Sequence, residues 1–234
     1  MLRVAVARLA ESPSGDDVAT PAWLGASERR RWTALSPAAR HEFAASRSLL
    51  RTLLEAATDV PGAAWEVSAQ AGTAPVVHAS GIGGDAVHAS LSHRLGWVAA
   101  AVADRAVGVD IECERPPRGN PGERAALMLS PSELAHWQTL PADERESALL
   151  TRWTLKEAWF KASPPEAAPW DFRRVVARPC APAQANARAW TAAPLHVALC
   201  CDDADALVAA ACPGLDDASA RTSFWRVERT PYAN

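Results

Sequence analysis

Two short segments of this chain carry residues of the right type and spacing to hold a phosphorylated ligand through a divalent cation. The first reads Val107-Gly108-Val109-Asp110-Ile111-Glu112; the second reads Trp153-Thr154-Leu155-Lys156-Glu157-Ala158-Trp159-Phe160-Lys161. Asp110, Glu112 and Glu157 offer carboxylate oxygens. Such oxygens suit magnesium, which usually completes its shell with water and substrate phosphates. Lys161 would add a compact positive charge against the same phosphates. The chain has only two lysines, Lys156 and Lys161, and both fall in the second segment; arginine supplies the other basic residues. Taken singly, the first segment also reads as an exposed strand face with solvated charges. The second also reads as a surface ion pair on a helix, worth about 0.3–0.5 kcal/mol. Together they favour a pyrophosphate-handling site.

Periodicity indicates the elements that must position these groups. Val107, Val109 and Ile111 alternate with Gly108, Asp110 and Glu112, which predicts a strand. Asp110 and Glu112 then share one face, roughly 6.5–7 Å apart at their backbones. Gly108 is expected to leave room for a ligand beside them. Leu155, Ala158, Trp159 and Ala162 form an i, i+3, i+4, i+7 stripe, which predicts a helix. Glu157 and Lys161 lie one turn apart on a neighbouring face. Ser163-Pro164-Pro165 ends the helix just beyond Lys161.

The chain also repeats itself at an offset of 105 residues. Leu2, Val4 and Val6 fall on Val107, Val109 and Ile111; Ser27-Glu28, Trp32 and Leu35 fall on Ser132-Glu133, Trp137 and Leu140. Arg47, Leu50 and Arg51 fall on Arg152, Leu155 and Lys156, and Trp97–Val102 resembles Leu207–Cys212 at a slightly larger offset. Two α/β halves packed about a pseudo-twofold axis are expected, joined by a tight turn at Val102–Val107 rather than by a linker. The halves differ at the chemical positions. Asp110 faces Ala5 in the repeat, Glu112 faces Ala7, Glu157 faces Thr52 and Lys161 faces Ala56. One site per chain follows. The boundaries read as 1–105, 106–212, and a C-terminal tail, 213–234, which either adds a strand at Phe224-Trp225-Arg226 or stays loose.

With 234 residues, 49% hydrophobic, and a net charge of −3, the chain reads as an ordinary globular protein with a substantial core. No basic excess points to nucleic acid. No apolar run is long enough for a membrane-spanning helix, and Met1–Ala10 reads as a strand, not a leader. The five cysteines include no CxxC and read as reduced packing residues, which fits the cytoplasm. Most of the ten tryptophans read as core or rim packing.

The two chemical segments resemble the signature of the 4′-phosphopantetheinyl transferase superfamily, and the two-half length resembles its Sfp-type branch. The resemblance implies an α+β fold with the active site in the cleft between two similar halves. It implies a monomer that moves the 4′-phosphopantetheine arm of coenzyme A onto a serine of an apo acyl or peptidyl carrier protein. Adenosine 3′,5′-bisphosphate would leave, and polyketide or peptide synthetase carriers of secondary metabolism fit such a length. By motif, Asp110, Glu112 and Glu157 resemble the magnesium ligands, and Lys161 the lysine on the coenzyme A phosphates, with Lys156 beside it. Ser92-His93 resembles a phosphate-contacting strand end. Arg47, with Arg51 one turn on, resembles the phosphate-binding arginine of the first helix. Glu133 resembles the general base proposed in some members, although a capping role would explain both Glu133 and its repeat partner Glu28.

Two departures stand out. Gly72-Thr73-Ala74-Pro75 puts Ala74 where the family often has a lysine or arginine. Arg94 follows His93 where a small residue is common, and is the candidate to supply the missing charge. Loss of the basic residue at Ala74 motivates a second reading, a non-catalytic module that binds coenzyme A or a carrier protein. A metal-dependent phosphohydrolase would share the carboxylates.

Overall fold

The computed structural model describes residues 1–9, 19–68, 70, 73–79, 87–114, 120–163, 171–215 and 220–230. Strand β1 (Leu2–Arg8) is followed by helices α1 (Ala26–Thr33) and α2 (Pro37–Thr58), a small hairpin of β2 (Glu66–Val67) and β3 (Val77–His78), then β4 (His88–Arg94) and β5 (Trp97–Ala103). The order resumes with β6 (Val107–Cys113), α3 (Pro121–Met128), α4 (Pro131–Thr139) and α5 (Ala142–Ala162). It ends with β7 (Val175–Pro179), β8 (Ala187–Ala192), β9 (Leu195–Cys201), α6 (Ala204–Ala209) and β10 (Arg221–Arg229). The mixture is α+β.

Two sheets carry the molecule. One is three-stranded, in the order β1-β5-β4; the other is five-stranded, in the order β6-β9-β8-β10-β7. Small side chains let β5 and β9 bury both faces. Ala99, Ala101 and Ala103 of β5 join Val197 and Leu199 of β9 in one core, together with Val4, Val6, Val109 and Ile111. The opposite faces meet the long helices. Ala5, Ala100 and Val102 pack on Leu50, Leu53 and Leu54 of α2, while Ala198 and Cys200 pack on Leu155 and Ala158 of α5. Each sheet thus turns one face to a shared core and the other to its own helix.

Element positions recur in order. β6, α4 and α5 begin 105 residues after β1, α1 and α2. Strand pairing recurs too: Leu2 opposes Ala103 in β1–β5, and Val107 opposes Cys201 in β6–β9. One sequence match is corrected. Leu207–Cys212 is not a strand; Leu207 lies in α6, and β9 takes the place expected of that run. A short apolar stretch of alanines and valines looks alike in a strand and a buried helix turn. The expected C-terminal tail supplies β10, an interior strand between β8 and β7. Just before it, Gly214 (φ +94°) lies so close to β1 that a Cβ would come within 2.0 Å of the Val6 carbonyl oxygen. The Val6 N–H donates to the Pro213 carbonyl at 2.9 Å.

Candidate active site

β6 and α5 are pressed together at Gly108. A Cβ there would sit 1.9 Å from the Ala158 carbonyl oxygen and 2.7 Å from the Ala162 nitrogen. The expected ligand space beside Gly108 is therefore filled by the helix backbone. Close approach brings the last turn of α5 over the carboxylates of β6. The Lys161 ammonium donates to Asp110 Oδ1 at 2.7 Å and to the Val109 carbonyl at 3.2 Å. From β4, the Ser92 hydroxyl also donates to Asp110 Oδ1, at 2.8 Å. Asp110 is only 6% exposed, which removes the solvated-face reading of this strand. Its other oxygen, Oδ2, is buried without a hydrogen-bond partner.

Electrostatics link the remaining carboxylates to this point. Burial pushes the Glu157 carboxyl above its ordinary value, Asp110 and Glu112 push it further, and Lys161 opposes them. Burial also raises Glu112; Arg94 opposes, Asp110 adds, and the Trp153 indole opposes. Arg94 Nε lies 2.8 Å from Glu112 Oε2, and Trp153 Nε1–H donates to Glu112 Oε1 at 3.2 Å. The arginine contact is an ion pair without a well-directed hydrogen bond from Nε. Arg94, expected to supply a missing charge for the ligand, spends it on Glu112. Trp153 is a site residue that its apolar character disguised in the sequence.

Among the described residues, no three His, Cys, Asp or Glu side chains form a ready-made metal cluster. The donor set nevertheless fits a hard divalent cation. All candidate donors are oxygens, one buried carboxylate oxygen lacks a partner, and burial first, then neighbouring anions, oppose the ionisation of Glu112 and Glu157.

Lys161 also lines a cleft of about 650 Å³ that runs between α5 and the α2–β4 region. Arg47 and His93 line it as expected, and so does Ala74 of the altered turn; Gly72 lies outside the described residues. Arg47 is 8% exposed; its Nε lies 3.8 Å from Glu28 Oε1 in an ion pair, and Nε and Nη1 make no hydrogen bond. Burial lowers its pKa to about 10, with Glu28 opposing and Arg51 adding to the drop. A buried guanidinium with spare donors is suited to a phosphate. The His93 ring faces Glu42 at 3.4 Å on the same wall. Arg31, which also lines the cleft, went unnoticed in the sequence because it lies in an ordinary arginine run, Arg29–Arg31.

Arg51, Lys156 and Glu133 are placed elsewhere. Arg51 gives both terminal nitrogens to Glu28, at 2.9 and 2.6 Å. Lys156, 0% exposed, donates to Glu133 Oε2 at 2.6 Å and to the carbonyls of Met128 and Phe172. Glu133 Oε1 accepts from the Ala177 N–H, and Oε2 also accepts from the Ser130 N–H. Glu133 closes a capping box with Ser130 at α4, and Glu28 makes the return half alone at α1, accepting from the Gly25 N–H at 2.9 Å; each is the third residue of its helix. The two buried pairs, Glu28–Arg51 and Glu133–Lys156, occupy matching positions 105 residues apart. Their carboxylates are consumed by helix starts and buried cations, and their cations by those carboxylates.

Residues 106–212 match the family model of the 4′-phosphopantetheinyl transferase superfamily. The match spans a little under half of the chain and includes Asp110, Glu112, Glu157 and Lys161. No curated protein matches the chain. No helix among the described residues is long and apolar enough to cross a membrane.

Proposed function

We propose that this protein transfers the 4′-phosphopantetheine arm of coenzyme A to a serine of an apo acyl or peptidyl carrier protein. One observation carries the reading. Lys161, inside the segment matched by the family model and hydrogen-bonded to Asp110, lines a cleft whose opposite wall carries Arg47. A pyrophosphate with a nucleotide on one side and an extended arm on the other suits a long cleft with cations on both walls. We read residues 1–105 and the remainder as two similar halves about a pseudo-twofold axis, with one site between them in a cytoplasmic monomer.

In this reading the carrier serine oxygen attacks the phosphorus that bears the pantetheine arm. The bond from that phosphorus to the bridging oxygen breaks, adenosine 3′,5′-bisphosphate leaves, and the serine proton is released. Asp110, Glu157 and Glu112 would hold Mg2+, which when bound neutralises charge building on the pyrophosphate. Lys161 binds and orients the phosphates from the end of α5, and Arg47 and His93 fix them from α2 and β4. Ser92 holds Asp110 in place. We read Glu133 as a helix cap and ion-pair partner rather than a base, with Lys156 and Arg51 in the same structural class.

The test is direct. With Mg2+, coenzyme A and an apo carrier, the carrier should gain the mass of one phosphopantetheine arm, and Asp110→Ala should abolish the gain while keeping a native circular dichroism spectrum. Absence of the gain across several carriers would defeat the reading. Release of product from coenzyme A without any carrier would indicate a phosphohydrolase. The Arg94–Glu112 pair favours a binding-only module, for which magnesium-dependent coenzyme A binding without turnover is the signature.

A further inference from the structure

Arg94 is the last residue of β4, and three contacts fix its relation to β6. Ser90 Oγ accepts from the Val109 N–H at 3.0 Å, Ser92 Oγ donates to Asp110, and Arg94 pairs with Glu112. The two strands therefore advance together, and the alternation that puts Asp110 and Glu112 on one face puts Ser92 and Arg94 opposite them. Beyond Arg94 the chain turns at once through Leu95 and Gly96, both at positive φ (47° and 80°). That two-residue turn holds the strand end in place. Arg94 thus meets Glu112 through the register of β4, not through a wandering side chain.

The contact uses up Glu112. Oε2 faces the guanidinium and Oε1 accepts from Trp153, so both oxygens are engaged. By contrast, Asp110 keeps a buried oxygen without a hydrogen-bond partner, and among the described residues Lys161 is the cation that acts on Glu157. The Arg94 side chain is 39% exposed and that of Glu112 is 14% exposed. Water reaches the arginine side, so the pair can open at modest cost.

We propose that Arg94 is a built-in competitor for the divalent cation, holding Glu112 away from the metal and weakening its binding to the Asp110–Glu157 pair. Cation binding then requires Arg94 to release Glu112, or proceeds with two carboxylates in place of three. Either way affinity is set low, and tight binding depends on phosphate oxygens that arrive with the nucleotide substrate. The inference rests on the metal-site reading above.

Mn2+ titration followed by the electron paramagnetic resonance of the free ion, without coenzyme A, tests it apart from turnover. The proteins are wild type, Arg94→Gln, Arg94→Met, Glu112→Gln, the Arg94→Gln/Glu112→Gln double variant, and Glu157→Gln, each checked for native fold by circular dichroism. Removing Arg94 should tighten Mn2+ binding by roughly two- to fivefold. The gain should vanish in the Glu112→Gln background, because the double variant removes the competed ligand. Unchanged or weaker binding in both Arg94 variants overturns the proposal, and the metal reading survives if Glu157→Gln still abolishes binding. A gain that persists in the Glu112→Gln background overturns it too, as a general charge effect. If neither the wild type nor the Arg94 variants bind Mn2+, the metal-site reading and this proposal fall together.

Discussion

Glu157 shows what a single carboxylate costs in this setting. Burial first, then Asp110 and Glu112, hold its proton more tightly in the folded protein than in the unfolded chain, where its ordinary value is 4.5. A carboxyl shifted upward in this way contributes stability that is full below about pH 4.5 and is lost as pH rises through the folded value. At neutral pH the ionised group therefore works against the fold. Glu157→Gln should melt at a higher temperature than wild type at pH 7. The difference should shrink as pH falls and be gone below about pH 4.5. Transfer activity should be lost across the whole range. Thermal melts followed by circular dichroism over pH 4 to 8 check the first part. A variant less stable than wild type at pH 7 would show that Lys161 already offsets the anionic neighbours. The residue scale also separates two kinds of charge. Glu28, Glu133, Arg51 and Lys156 recur across the repeat and serve helix starts and buried pairs; Asp110, Glu157 and Lys161 do not recur, and Lys161, bonded to Asp110, lines the cleft.

At the scale of elements, the site exists because α5 lies unusually close to β6. Only hydrogen at Cα of Gly108 permits it. Gly108→Ala would drive a methyl into the Ala158 carbonyl and Ala162 nitrogen, atoms of the helix backbone that cannot swing aside. The helix must shift, costing about 1–3 kcal/mol as overpacking does elsewhere, and Lys161 and Glu157 must move with it. Urea denaturation should show that loss of stability. Activity measured well below the midpoint should fall by far more than the unfolded fraction explains, since an ångström of misplacement costs on the order of 10²-fold. The β6 strand and the end of α5 at Ala162 were legible, because alternation, an apolar stripe and a Ser-Pro-Pro stop each have a local cause. The role of Gly108 was not. The sequence shows that a small residue is tolerated, but what fills the space depends on an element about 50 residues away. Arg94 was misread for the same reason, since its partner follows from strand register rather than from neighbours in sequence.

The whole molecule is knit by surfaces that neither 1–105 nor the remainder can bury alone. Val4, Val6, Ala99 and Ala101 share one core with Val109, Ile111, Val197 and Leu199. The segment at Pro213–Gly214 bonds to the backbone of β1, and the strand that follows it, β10, lies inside the five-stranded sheet. That last strand was the least legible part of the fold, because its partners are set by a sheet assembled from distant segments rather than by its own pattern. The cleft obeys the same logic, with Arg47 and His93 on one wall and Lys161 on the other. Separating the two segments would expose apolar faces of both sheets at once, so their stabilities cannot be independent. Urea unfolding should therefore be one cooperative transition, with tryptophan fluorescence and far-ultraviolet circular dichroism giving the same midpoint. Buried tryptophans on both sides, Trp32 and Trp65 in the first segment and Trp137, Trp190 and Trp225 in the second, make fluorescence report on both. A fragment of residues 1–105 expressed alone should lack a cooperative transition. Two resolved transitions in the full chain, or a folded fragment, would mean that the shared core contributes little and that the cleft walls are free to move apart.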